Sequence, residues 1–155
     1  MSTSTLARQV NDPSWVLDPI TEISGVRLAL IISADGIRVG KYENVDEATV
    51  ETVSAAVSAL QGAGRASAVS AFGANPKTPI STITVELGTD PNSGDRKSVG
   101  TFMVMPAGAN TNAYIAVAFG PDTPMGIIAQ TMAKQAKNLG ERLMAVSARD
   151  DGPVS

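Results

Sequence analysis

Apolar residues recur with a period of two from Val26 to Ile32, where Val26, Leu28, Leu30 and Ile32 share one face of a predicted strand over 26–33. Ala29 and Ile31 on the other face are apolar as well, so this strand should be central and covered on both sides. The run stops at Ser33-Ala34-Asp35-Gly36 and a more polar strand returns over 37–42. Asp-Gly tolerates the positive φ angles that a tight hairpin needs, so the SADG segment reads as a turn rather than a site. Upstream, Asp12-Pro13 starts a short helix carrying Trp15, Val16, Ile20 and Ile23 and ended by Gly25; Pro19 conflicts with an unbroken helix, and Asp18-Pro19 can instead restart it with a kink.

The period becomes helical from about Asp46 to Ser70. Val50, Val53, Val57, Leu60 and Gly64 make a core stripe, and Glu47 and Glu51 complement the positive end of the helix. On the opposite side stand Ala48, Ala55, Ala59, Gly62 and Ala66, where a solvated helix carries Lys and Glu. Alanine favours helix on its own account. The sharper reading is that a second surface packs closely there, most simply the same helix of another subunit.

Three strands follow, about Thr78 to Leu87, Ser98 to Met105 and Asn112 to Phe119, joined by hairpin loops GTDPNSGDRK and PAGANT. Ile83, Val85 and Leu87 alternate with Thr82, Thr84 and Glu86, the pattern of a strand with one wet face at a sheet edge. The stretch 114–119 is apolar on both faces and should be central. A last helix, about Pro124 to Val146, lines up Met125, Ile128, Met132, Ala136, Leu139, Leu143 and Val146. Lys134, Lys137, Glu141 and Arg142 fall off that stripe.

Composition narrows the function classes. The 155 residues suit one domain, 12–148, between loose tails at 1–11 and 149–155. With 43% hydrophobic and 17% charged residues the chain is not largely disordered. A net charge of −3 with 12 scattered Lys and Arg argues against a nucleic-acid partner. Neither a secretory signal nor a membrane-length apolar run is present in the sequence, so no membrane insertion and a cytoplasmic setting are expected.

The chain has no Cys and no His, which removes thiolate chemistry, the commonest general base and the commonest metal ligand. Gly62-Ala63-Gly64-Arg65 hints at a phosphate loop but lies inside a helical pattern, with no strand feeding it. Gly40-Lys41 is followed by Tyr42 instead of the Ser or Thr that would ligate magnesium. The stretch Asp90 to Asp95 starts like a calcium loop, yet its twelfth position is Thr101 rather than Glu. Glu43, Asp46 and Glu47 are the charge a helix N-terminus favours. The serines lack a base, and no SxxK motif exists. Neither catalytic residues nor a cofactor or metal site is expected.

With ISGVRLALIISADGIRVG opening the pattern and TPMGIIAQTMAKQAKNLGERL closing it, the chain resembles the Roadblock / dynein light-chain family. The resemblance is to the bacterial branch found beside small Ras-like GTPases and spans about Trp15 to Val146. Gly25-Val26 before the first strand, Ser33 to Gly36 at the hairpin, and Met125-Gly126 at the last helix carry it. It implies an α+β sandwich: a five-stranded antiparallel sheet, the long helix on one face and the N- and C-terminal helices on the other. It further implies a homodimer joined through the long helices and third strands, which binds and regulates a small Ras-like GTPase or serves as an assembly platform. The expected dimer interface is Ala48, Ala55, Ala59, Gly62 and Ala66 with Thr82 and Thr84. The expected partner contacts are Glu47, Glu51, Ser58, Gln61 and Arg65. An arginine finger at Arg65 is disfavoured by its place well inside a helix. The alternative is a small-molecule sensing module with a pocket between sheet and helices, weakened by the shortage of polar groups at apolar positions. The long loop over 88–97 and Pro19 depart from the family pattern and bear on partner choice.

Overall fold

A strand apolar on both faces belongs in the middle of a sheet, and β1 (Val26–Ser33) lies there, with Leu28 to Ile32 buried. It pairs antiparallel with β2 (Arg38–Lys41) on one side and β5 (Ala113–Phe119) on the other. The computed structural model describes residues 13–33, 38–41, 45–107 and 112–150, with the backbone alone at 39–41 and 143–150. With β4 (Ser98–Pro106) and β3 (Ile83–Thr89) the strands form one antiparallel sheet in the order β2-β1-β5-β4-β3. β2 and β3 are its edges. Of the SADG turn, residues 34–36 lie outside the described residues, as do the 1–11 tail and residues 151–155.

The alternation of β1 sorts its side chains into two cores. Ala29 and Ile31 join Ile115 and Val117 of β5 and Met103 of β4 beneath the N-terminal turns and the last helix. Leu28, Leu30 and Ile32 join Ala116 and Val104 beneath Val50 and Val57 of the long helix α2 (Glu47–Phe72). The first core also takes in Val16, Leu17 and Ile20, and Ile128, Met132 and Leu139 of α3 (Met125–Asp150). Burying one such Leu or Ile contributes about 1.5–3 kcal/mol.

The N-terminal element is not one unbroken helix, and it restarts at Asp18-Pro19. A 3-10 turn, Pro13–Leu17, is followed by the one-turn helix α1 (Asp18–Thr21). Pro19 sits in the first turn of α1, where an N–H has no helical acceptor to reach, so a helix can start there. The chain then turns at Gly25, whose φ is 94°. Its carbonyl accepts the Gly120 N–H at 3.0 Å, and Thr123 Oγ1 donates to Ser24 O at 2.9 Å. These two bonds tie the start of β1 to the loop after β5.

Two boundaries need correction. β3 begins at Ile83, not near Thr78; Pro79 removes a backbone donor that the earlier start would need. The last helix runs through Asp150, so Arg149 and Asp150 belong to α3 and not to a tail. Nothing in Ser147-Ala148-Arg149-Asp150 breaks a helix; Gly152 and Pro153 come later.

α2 is capped at both ends. Asp46 Oδ1 accepts the Thr49 N–H at 2.7 Å, and Gly73 at φ 60° lets Ala74 N donate back to Val69 O at 3.0 Å. The Thr49 N–H holds the Asp46 carboxyl below its ordinary value of 3.8. A lowered folded-state pKa stabilises above the unfolded-state value, and that contribution disappears as pH falls through the folded-state value. Asp46→Ala should therefore lower the melting temperature at pH 7, and the gap from wild type should close as pH drops below the carboxylate range. Asp46→Asn should retain most of the cap. Thermal melts followed by circular dichroism from pH 7 down to pH 3 check both.

Candidate protein-interaction surface on the long helix

α2 has one face committed to the sheet. Val50, Ser54 and Val57 are buried there, and Val53, Leu60 and Gly64 are half-buried. Ser54 is a polar residue that the apolar pattern did not single out, and its Oγ has no hydrogen-bond partner among the described residues. Ala48, Ala55, Ala59, Gly62 and Ala66 are all exposed on the helix surface. Nothing within 4 Å would meet a Cβ at Gly62. The helix therefore presents a low surface that another backbone can approach closely.

The polar residues are distributed unevenly. Glu47 and Glu51 are exposed in the first two turns, and Glu47 forms an ion pair with Arg38 of β2. Ser58, Gln61 and Arg65 are half-buried further along. The Arg65 Nε is buried without a hydrogen-bond acceptor among the described residues. A guanidinium held this way is no free arm for another protein's active site.

Thr82 and Thr84 are both exposed, but only Thr84 lies in β3. Thr82 belongs to the segment before it, which corrects its placement in the third strand. Residues 78–83 pass beside the C-terminal half of α2, with Ile80 Cδ1 3.8 Å from where a Gly64 Cβ would stand. Between helix and segment lies an open groove of about 450 Å³, with Arg65, Val69 and Phe72 on one wall and Pro79 and Ile80 on the other. Phe72 is 85% exposed. The groove and Phe72 escaped the periodicity reading, although Asn-Pro-Lys-Thr-Pro at 75–79 signals a break before the strand.

The remaining chemical candidates resolve into structure. Gly62-Ala63-Gly64-Arg65 is continuous helix, so its amides bond along α2. Asp90 Oδ1 and Asp95 Oδ1 accept the Asn92 and Lys97 N–H groups at 2.8 and 3.1 Å, which shapes the β3–β4 loop. Lys97 Nζ and Asp122 Oδ2 lie 3.3 Å apart across that end of the sheet. Among the described residues no group of three or more acidic side chains is placed to hold a metal ion. No described helix is long and apolar enough to cross a membrane.

An antiparallel sheet with one long helix packed on its Leu30 face defines an α+β domain. Residues 15–83, fewer than half of the 155, match the Roadblock/LC7 domain. The chain is similar to a Roadblock/LC7 domain from Streptomyces avermitilis at 22% identity and a TM-score of 0.68, over 84% of this chain and 97% of that one. It is also similar to the gliding protein MglB from Thermus thermophilus, at 16% identity and a TM-score of 0.63, over 86% of this chain and 90% of that one. MglB from Myxococcus xanthus aligns at 10% identity and a TM-score of 0.64, over 86% and 95% of the two chains. At such identities the likeness to the solved structures is one of fold. Curated protein sequences give no match.

Proposed function

We propose that this protein is a non-enzymatic regulator or scaffold that forms a homodimer through α2 and β3 and binds a small Ras-like GTPase. Roadblock/LC7 domains are regulatory or scaffold domains, and an MglB of similar fold occurs in a tetrameric arrangement. The observation that carries the reading is the pairing of two open features. The small-residue face of α2 is exposed, and β3 is an edge strand of the same sheet, with no strand paired to its outer side among the described residues. An unpaired edge beside a low helix face suits a second copy, which would cover both at once. We place the dimer contact on Ala48, Ala55, Ala59, Gly62, Ala66 and Thr84, and the GTPase on those polar residues of α2 that the dimer leaves uncovered. The same proposal gives the protein a cytoplasmic setting, with a bacterial sensory complex as one context.

Wild-type protein should then scatter light as a dimer at tens of micromolar, and Ala59→Arg should scatter as a folded monomer. The large charge would stand where two helices meet closely. A wild-type monomer at that concentration would remove the dimer. Affinity capture from native lysate, followed by mass spectrometry and nucleotide analysis of the eluate, tests the partner: a bound guanine-nucleotide protein supports it, and its absence from a wild-type dimer counts against it.

A further inference from the structure

The charges on α2 are few and their spacing is informative. The helix carries only Glu47, Glu51 and Arg65. Glu47 is engaged by Arg38 of the same chain, but neither Glu51 nor Arg65 has an ion pair among the described residues. They cannot reach each other, because fourteen residues of helix separate them by about 21 Å. They nevertheless share a line. Glu51, Ala55, Ser58, Gly62, Arg65 and Val69 step by four and three along one side of α2. Toward the C-terminal end this side forms a wall of the groove beside residues 78–83, which lead into the open edge β3.

We infer that the dimer proposed above is set in an antiparallel register centred on Ser58, with Glu51 of each copy paired to Arg65 of the partner subunit. The inference rests on that dimer and adds its register. A two-fold axis perpendicular to two antiparallel helices brings residue i opposite residue j whenever i and j are equidistant from the axis. Glu51 and Arg65 each lie seven residues from Ser58, so one operation makes both ion pairs. Between them Ala55 and Gly62 fall nearly opposite each other, and neither has a side chain large enough to hold the helices apart. Parallel helices about a two-fold axis would instead set Glu51 against Glu51 and Arg65 against Arg65, like against like. On this assignment Glu51, Ser58 and Arg65 leave the GTPase contact set, and Glu47 and Gln61 stay in it.

The chain contains no cysteine, so single cysteines report the register directly. Ser58→Cys should cross-link into a covalent dimer under mild oxidation. Glu51→Cys and Gly62→Cys should not, since even Gly62 would stand about 12 Å from its counterpart along the axis, beyond the roughly 7 Å reach of a disulfide. In parallel, Arg65→Glu and Glu51→Arg should each weaken the dimer about tenfold or more, and the double variant should recover to within about threefold of wild type. Glu51 is exposed, so its reversal leaves the fold intact even if the Arg65 variant is unstable. A wild-type monomer overturns the dimer itself. A wild-type dimer that cross-links better through Gly62→Cys than through Ser58→Cys, or that ignores Glu51→Arg, overturns the register alone.

Discussion

Replacing Ile31 with alanine should cost about 3–4 kcal/mol of folding stability. Ile31 has no exposed surface, stands at the middle of β1 and faces the core shared by α1, α3 and the N-terminal turn. Strands on both sides of β1 and helices above and below it leave the hole little room to collapse, which puts the cost in the upper part of the usual range. Ile31→Val removes one methylene and should cost about 1 kcal/mol at the same place. Urea titration followed through Trp15, the one tryptophan, reads both variants from a single fluorophore. That ring lies 5.5 Å from the Arg142 guanidinium, so its emission reports the docking of α3 against the N-terminal turn. Equal midpoints for wild type and Ile31→Ala would mean that this side of the sheet is not packed as described.

Gly100→Ala should cost about 3 kcal/mol for a different reason. Gly100 stands in β4 with φ 150°, a backbone angle that L side chains rarely adopt. A Cβ there would run into the carbonyl oxygen of Phe119 on the neighbouring strand. The obstacle is backbone in the centre of a sheet, so it cannot swing aside as a flexible side chain would. The pairing of β4 with β5 would have to shift instead. Gly88→Ala, in β3 with open space at its Cβ, should change stability little and serves as the control. A Gly100→Ala midpoint within error of Gly88→Ala would contradict the close approach.

The features that were legible in the sequence are those governed by local periodicity. A period of two with both faces apolar placed β1 at 26–33 and marked it as central, and the structure has it there. The stripe from Val50 to Val57 and the stripe from Ile128 to Leu139 are buried against the sheet as their spacing requires. The one-wet-face pattern of Ile83, Val85 and Leu87 belongs to an edge strand. The motif order from Gly25 to Met125 was enough to suggest the Roadblock family, whose domain matches residues 15–83. Boundaries were less legible where proline acts. Pro19 left both a kink and a restart open, and Pro79 falls in the stretch before the late start of β3, because the missing N–H matters only in relation to partners elsewhere in the fold.

The candidate surface divides along the same line. Sequence by itself determined that α2 has a small-residue side and a polar minority, since composition at helical spacing is a one-dimensional fact. Only the tertiary structure decided which of those residues stand beside the open sheet edge. It set Arg65, Val69 and Phe72 against residues 78–83 across a groove, gave Glu47 to Arg38, and left the Arg65 Nε buried without an acceptor. The physical reason is that a helix wheel ranks directions around one axis and carries no information about what lies in each direction. Here the strand order β2-β1-β5-β4-β3 supplies it, by placing the edge strand β3 at the end of the sheet that α2 covers.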